Sequence, residues 1–218
     1  MPAEATRRRI VRAFRTLADR DADVPIDAVA RRARVSVQTI YAHFGSKRGL
    51  LLAAIDEMQA EVGLYEGFEE VFASPHGEAA LRRMLALTFQ LWARGWSLVR
   101  FTLGARRRDP ETEAQLLEVD AMRRTHLWMI CRRLAGEGRL RAPLSAERAA
   151  DLALALSTPT VYEELVERRG WRTEDASQVV VDLVVSAVID PATKPVTEPP
   201  PNWGAFGLGA GPSPAPES

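Results

Sequence analysis

The sequence predicts an all-α fold, and three observations carry that prediction. Apolar residues recur at three- and four-residue spacing through nearly every segment. Ser, Thr, Asp and Pro stand where helix starts need them. The one run that reads as strand by propensity, the valines between 179 and 185, has no partner strand elsewhere and follows a helix-start signal.

Taken in order, Ile10, Val11, Phe14, Leu17 and Ala18 predict an amphipathic helix from Ala3 to about Arg20. Pro25 suits the first turn of a second helix, with Ile26, Val29, Ala30 and Ala33 on one side. Ser36 is placed to cap a third over 36–44, and Ser46 a fourth, "SKRGLLLAAIDEMQAEV". Beyond residue 75 the helices lengthen. "SPHGEAALRRMLALTFQLWARGW" is one; Asp109 as cap, Pro110 at the first position and Gly136 near the stop frame the next. Ser145 with Glu147 starts a helix that Gly170 ends, and Thr173, Glu174 and Asp175 start the last. These elements divide into a head at 1–50, a larger helical body at 51–190 and a tail at 191–218. With eight Pro and four Gly in its 28 residues, the tail is expected to be disordered.

The formal net charge of zero hides an asymmetry. Residues 1–50 hold eleven Lys and Arg against five acids, whereas the rest of the chain is acidic by the same margin. A basic head on an acidic body points the head at a polyanion. No apolar run approaches the roughly 20 residues of a membrane span, and no apolar stretch follows the basic start, so a cytoplasmic protein is expected. The single cysteine, Cys131, fits a reducing compartment and a buried site.

On a helical wheel of 36–44, Ile40 and Phe44 share one face with Val37 beside them. Gln38, Thr39 and Ala42 lie opposite, flanked by Tyr41 and His43. A solvated helix normally carries Lys and Glu outside; small residues, an amide and hydroxyls instead can approach base edges closely. The two short helices and their tight turn have the length pattern of a helix-turn-helix.

"IDAVARRARVSVQTIYAHFGSKRGLLLAAID" resembles the DNA-binding head of the TetR family of transcriptional regulators. The shared features are Ala30, Val35–Ser36, the Thr39, Tyr41, His43 and Phe44 spacing, Ser46–Lys47, and Leu50–Leu51. One departure is Arg34, where the family usually has Gly in a left-handed turn; a non-Gly residue there costs on the order of 1 kcal/mol. The resemblance implies a two-fold dimer on a near-palindromic double-stranded DNA operator, with heads about 34–36 Å apart. The residues expected at DNA are Arg34, Ser36, Val37, Gln38, Thr39, Tyr41, His43 and Lys47. By the resemblance Val37, Gln38, Thr39 and Tyr41 are closest to base edges; Val37 lies between core and groove, Gln38 can pair with adenine, and Tyr41, His43 and Lys47 also suit phosphates.

The resemblance also implies a small-molecule effector site in the middle helices and a homodimer through the last two. Phe89, Trp92, Trp96, Phe101, Met122, Trp128 and Met129, with Arg100, His126 and Glu118 as polar company, supply an aromatic stretch suited to a mostly apolar effector. The same stripe serves equally as plain core. Leu152, Leu154, Leu156, Val179, Val180, Leu183, Val184 and Val188 supply apolar surface for dimer or core. Three scattered histidines without ligand-spaced partners, and no phosphate loop or nucleophile elbow, give no metal, no cofactor and no enzyme. The expected function is a repressor released by its effector. The alternative is a helical adaptor without sequence-specific DNA binding.

Overall fold

The computed structural model describes residues 2–21, 23–105 and 110–194; the expected cap Asp109 and the tail from 195 lie outside them. The described residues are helical, with a single isolated antiparallel bridge between Leu140 and Ile189 and no strand. The head comprises α1 (Pro2–Ala18), α2 (Ile26–Ala33) and α3 (Val37–Phe44), with α4 (Lys47–Glu61) leading away. The body follows as α5 (Leu64–Phe72), α6 (Gly77–Ala105), α7 (Pro110–Gly136), α8 (Ala146–Leu156), α9 (Pro159–Tyr162) and α10 (Thr173–Val188).

The head packs where its periodicity places it. Ile10, Val11 and Phe14 of α1, Val29, Ala30 and Ala33 of α2, and Ile40 of α3 are buried together. This core crosses the expected boundary at residue 50. It takes Leu50, Leu51, Ala54 and Met58 from α4, and Leu98 and Phe101 from distant α6. A second core fills the body, built from α6, α7, α8 and α10 around Phe89, Trp92, Trp96 and Tyr162. Cys131 lies in it, fully buried, and burial pushes its thiol up to about 12, so it stays protonated and unreactive.

Three elements differ from the sequence reading. Helix α5 is additional; Gly63, left-handed at φ 65°, turns the chain out of α4 and into it. Helix α6 runs nine residues past Trp96 to Ala105, which carries Leu98 and Phe101 to the head. The helix expected from Ser145 to Gly170 is broken after Leu156: Thr158 is extended and Pro159 opens α9, which is followed directly by a π-helix over Glu163–Arg168. Proline lacks the amide that an unbroken helix would need there, and it disfavours helical backbone just before it. The first residues of the expected tail, 191–194, form a turn in which Ala192 N–H bonds the Asp190 carboxylate.

Candidate functional site

The turn before α3 is built on Arg34. Its backbone is left-handed, φ 54° and ψ 50°. Arg34 N–H bonds Arg31 O at 3.2 Å and Val35 N–H bonds Ala30 O at 3.0 Å, the paired closure of a Schellman motif. Arg9 adds a guanidinium donor to Ala33 O at 2.9 Å, so three of the last carbonyls of α2 are satisfied. The Arg34 side chain stays exposed.

Ser36 caps α3, its Oγ accepting Thr39 N–H at 3.0 Å. The same oxygen lies 2.8 Å from Thr39 Oγ1, so both hydroxyls are tied to each other at the start of the helix. The wheel holds: Ile40 is fully buried, Val37 and Phe44 are half-buried against the head core, and Gln38, Tyr41 and Ala42 are exposed. His43 is half-buried beside Phe44, and Arg7 stacks over the other ring at 5.2 Å. Lys47 bonds Asp23 at 3.1 Å and sits 5.7 Å over Phe101, so it has two intramolecular partners. Ser46 caps α4 through Gly49 N–H at 3.0 Å.

In the body, a cavity of about 180 Å³ opens between α4, α5, α6 and α7. Of the residues expected at an effector, Trp92, Met122 and His126 line it. The others lie elsewhere. Phe89 is buried between Trp92 and Tyr162, and Trp96 packs on Tyr162 at 4.9 Å. Phe101 belongs to the head core, edge-on to Phe14 at 5.4 Å. Arg100 donates to Asp19 O at 2.7 Å and more weakly to Ala18 O, closing the end of α1. Trp128 faces away from the cavity, its Nε1–H on Glu147 at 3.1 Å and Arg132 over its ring at 5.5 Å. Met129 is buried and Glu118 exposed, neither at the cavity.

The polar residue that sequence reasoning missed is Arg123. Its guanidinium lies in the cavity wall, 5.3 Å over the Trp92 ring. Nη2 donates to Ser157 O at 2.6 Å, and Nη1 is 3.3 Å from Asp120. Burial pulls its pKa below the usual guanidinium value. The available signal was its register: Asp120, Arg123 and His126 follow each other at three-residue steps, on one face with Leu116, Val119 and Leu127. His126 packs against Phe68 at 4.9 Å and Phe72 at 6.0 Å, and burial lowers its pKa, favouring the neutral ring.

Cavity and head share residues. Met58 of α4 and Leu98 of α6 line the cavity and are also buried members of the head core. Arg15 of α1 grips Glu61 at the far end of α4 through two bonds of 2.7 and 2.8 Å, which hold that carboxyl below the usual carboxylate range. On the last helices, Val180, Val184 and Val188 turn into the chain's own core, the second of the two roles the sequence leaves open for them. Val179 and Leu183, one turn apart on α10, are each half exposed, while Leu152, Leu154 and Leu156 of α8 are partly buried. Among the described residues no cluster of three metal-ligating side chains occurs, and no helix is long and apolar enough to cross a membrane.

Residues 10–54 match the family model of bacterial regulatory proteins of the tetR family. Solved structures share the fold over most of the chain. A protein of Saccharomonospora viridis, described as a candidate transcriptional regulator and solved with choline, is 22% identical with a TM-score of 0.70, covering 86% of this chain and 99% of its own. The transcriptional regulator FadR of Bacillus subtilis, solved with stearoyl-CoA, is 20% identical with a TM-score of 0.67, over 82% and 97%. NalD of Pseudomonas aeruginosa, the secondary repressor of the MexAB-OprM multidrug efflux pump, is 18% identical with a TM-score of 0.67, over 87% and 98%. No curated protein sequence matches the chain significantly. Residues 10–54, with their capped helix-turn-helix, therefore match the N-terminal DNA-binding domain of bacterial regulatory proteins of the tetR family, and the chain shares the fold of the solved regulators over most of its length.

Proposed function

We propose that this regulator is a cytoplasmic, non-enzymatic repressor that grips a near-palindromic operator as a two-fold dimer and lets go when a small molecule fills the body cavity. The observation that carries this reading is the double use of Met58 and Leu98, which stand in the cavity wall and in the head core at once. A ligand that moves α4 or α6 to make room for itself therefore moves the head. The ligand-bound proteins of like fold, with choline in one and stearoyl-CoA in another, support a ligand-responsive body.

At DNA, Gln38 and Tyr41 are the exposed readers, with Val37 and Thr39 behind them, and Arg34, His43 and Lys47 turn to the flanking phosphates. Lys47 exchanges Asp23 for a phosphate at small cost, because exposed ion pairs contribute only about 0–1 kcal/mol. Ser36 acts through the cap it provides. Val179 and Leu183 of α10, with Leu152 and Leu156 of α8, supply the apolar strip for a partner copy. Arg34, the departure from the family pattern, sits in a paired Schellman closure with its side chain exposed, which supports the regulator over the adaptor.

The test is binding of the purified protein to duplex DNA flanking its own gene, against a shuffled duplex, across a salt series. Preference for the native duplex, with affinity falling steeply as salt rises, is expected. Sedimentation on the same sample should give a dimer. A folded dimer that binds neither duplex at low salt would return the adaptor reading.

A further inference from the structure

The cavity carries a charge preference in its wall. Its lining is largely Ile, Leu, Met, Val and aromatic carbon, and among the described residues the charged side chains that line it are Asp120 and Arg123. The two are unequally placed. The Arg123 side chain is 19% exposed, whereas that of Asp120 is 56% exposed. Their contact, at 3.3 Å, is longer than the roughly 2.7–2.9 Å of a well-made charge-assisted bond. Solvent therefore screens the carboxylate, while the guanidinium beside it leans on one carbonyl and the face of Trp92. A cation drawn out of water and only half compensated attracts an anion. The remaining polar groups do not oppose one. His126 offers a neutral ring that can donate, and Gln59 an amide. The Thr88 and Thr102 hydroxyls already give their protons to Met84 O and Leu98 O.

We propose that the effector is a small apolar acid, its carboxylate paired to Arg123 and its hydrocarbon laid along Met84, Leu85, Thr88 and Leu91 toward Met58. The proposal rests on the effector role given to this cavity above. At about 180 Å³ the space is below the roughly 300–1,000 Å³ of drug-sized pockets, which selects compact acids over long-chain ones. Arg123 is also the place where such a ligand gains leverage. Its Nη2 bond to Ser157 O joins α7 to the break after α8, so an anion that draws the guanidinium inward pulls on that joint.

The test is a calorimetric titration of the full chain with octanoate, 1-octanol and octyltrimethylammonium, which share a chain and differ in charge. Octanoate is expected to bind at least about tenfold more tightly than octanol, the worth of one charge-assisted pair. Asp120→Asn, a change at an exposed side chain, should raise octanoate affinity severalfold by removing the competitor. Arg123→Gln should bring octanoate down to the octanol level with octanol unchanged; should this variant not fold, Asp120→Asn decides. Equal binding of octanoate and octanol overturns the proposal. So does preference for the ammonium with loss on Asp120→Asn, or no binding of any probe to folded protein. Octanoate that binds as expected yet leaves the operator duplex bound would instead overturn the release mechanism and leave the acid preference standing.

Discussion

Phe101 is the residue whose substitution best separates two accounts of α6. As an effector contact, its loss would weaken ligand binding and leave the head alone. In the structure it is 4% exposed, packed edge-on against Phe14 at 5.4 Å, with Leu98 beside it in the head core. Truncation to Ala removes a full buried ring, and such changes cost about 3–5 kcal/mol. The Phe14 pair, worth roughly 0.5–1.5 kcal/mol beyond its area, is part of that loss. Against a typical domain stability of about 5–15 kcal/mol, Phe101→Ala removes a large share of what holds the head folded. Phe101→Leu keeps part of the volume but loses the ring contacts with Phe14 and Lys47, and should cost clearly less than Phe101→Ala, about 1–2 kcal/mol. Urea unfolding followed by helical circular dichroism measures both. Phe101→Leu should also weaken operator binding, since the seat of α1 and α4 on α6 loosens. The reasoning is refuted if Phe101→Ala costs under about 1 kcal/mol, or if Phe101→Leu lowers effector affinity with operator affinity unchanged.

Other outcomes follow from single features. Arg34→Gly relieves a left-handed non-glycine backbone and should stabilise the protein by about 1 kcal/mol in the same urea assay; if Arg34 also meets a phosphate, the salt slope of operator binding falls by about one unit. Gln38→Ala should cost about 1–3 kcal/mol at one operator position, with the salt slope unchanged, read by competition against single-base operator variants. His126, whose pKa burial lowers, should make stability pH-dependent. Its contribution is fully present above the unfolded value near 6.5 and is lost as pH falls toward the folded pKa, because the unfolded chain takes up the proton first. Melting temperature against pH should slope down on the acid side, and His126→Phe should flatten that slope.

Much of this architecture was legible because local chemistry decides it. Ser36, Ser46 and Ser145 each cap the helix they were expected to cap, since a serine oxygen and a free amide three residues on need no distant partner. The buried stripe of α3 followed from period alone, and helix rather than strand for α10 from the start signal before it and the lack of a partner strand. What failed depended on distance. An aromatic stretch in α6 says that something is buried, not which core it enters; Phe101 and Trp92, nine residues apart, face different cores. Arg100 read as pocket polarity because the acceptors that hold it, at the end of α1, are more than eighty residues away. Arg123 went unnoticed because an arginine in a long amphipathic helix reads as solvated face until the neighbouring helix covers it. Pro159 was the exception, a local break hidden under apolar periodicity that continued across it.

The same long-range packing sets how cavity and head communicate. Close-packed interiors do not absorb displacement, so a ligand that parts α4 from α6 must shift residues they share. Gly95 lies at that crossing, and a methyl group added there would stand 2.7 Å from Met58 Sδ and 3.1 Å from its Cγ. Gly95→Ala gains about 1 kcal/mol in helix propensity and meets an overpacking cost of about 1–3 kcal/mol, softened because a methionine chain can swing aside. Net stability should therefore change little. Met58 must leave its place, however, and it is only 3% exposed between cavity and head core. Gly95→Ala should thus mimic an occupied cavity in part, weakening operator binding without ligand by a share of the roughly 1–3 kcal/mol typical of such coupling. Fluorescence anisotropy on the operator duplex gives that number. A variant as stable as wild type that binds operator equally well would show that the crossing of α4 and α6 does not carry the signal.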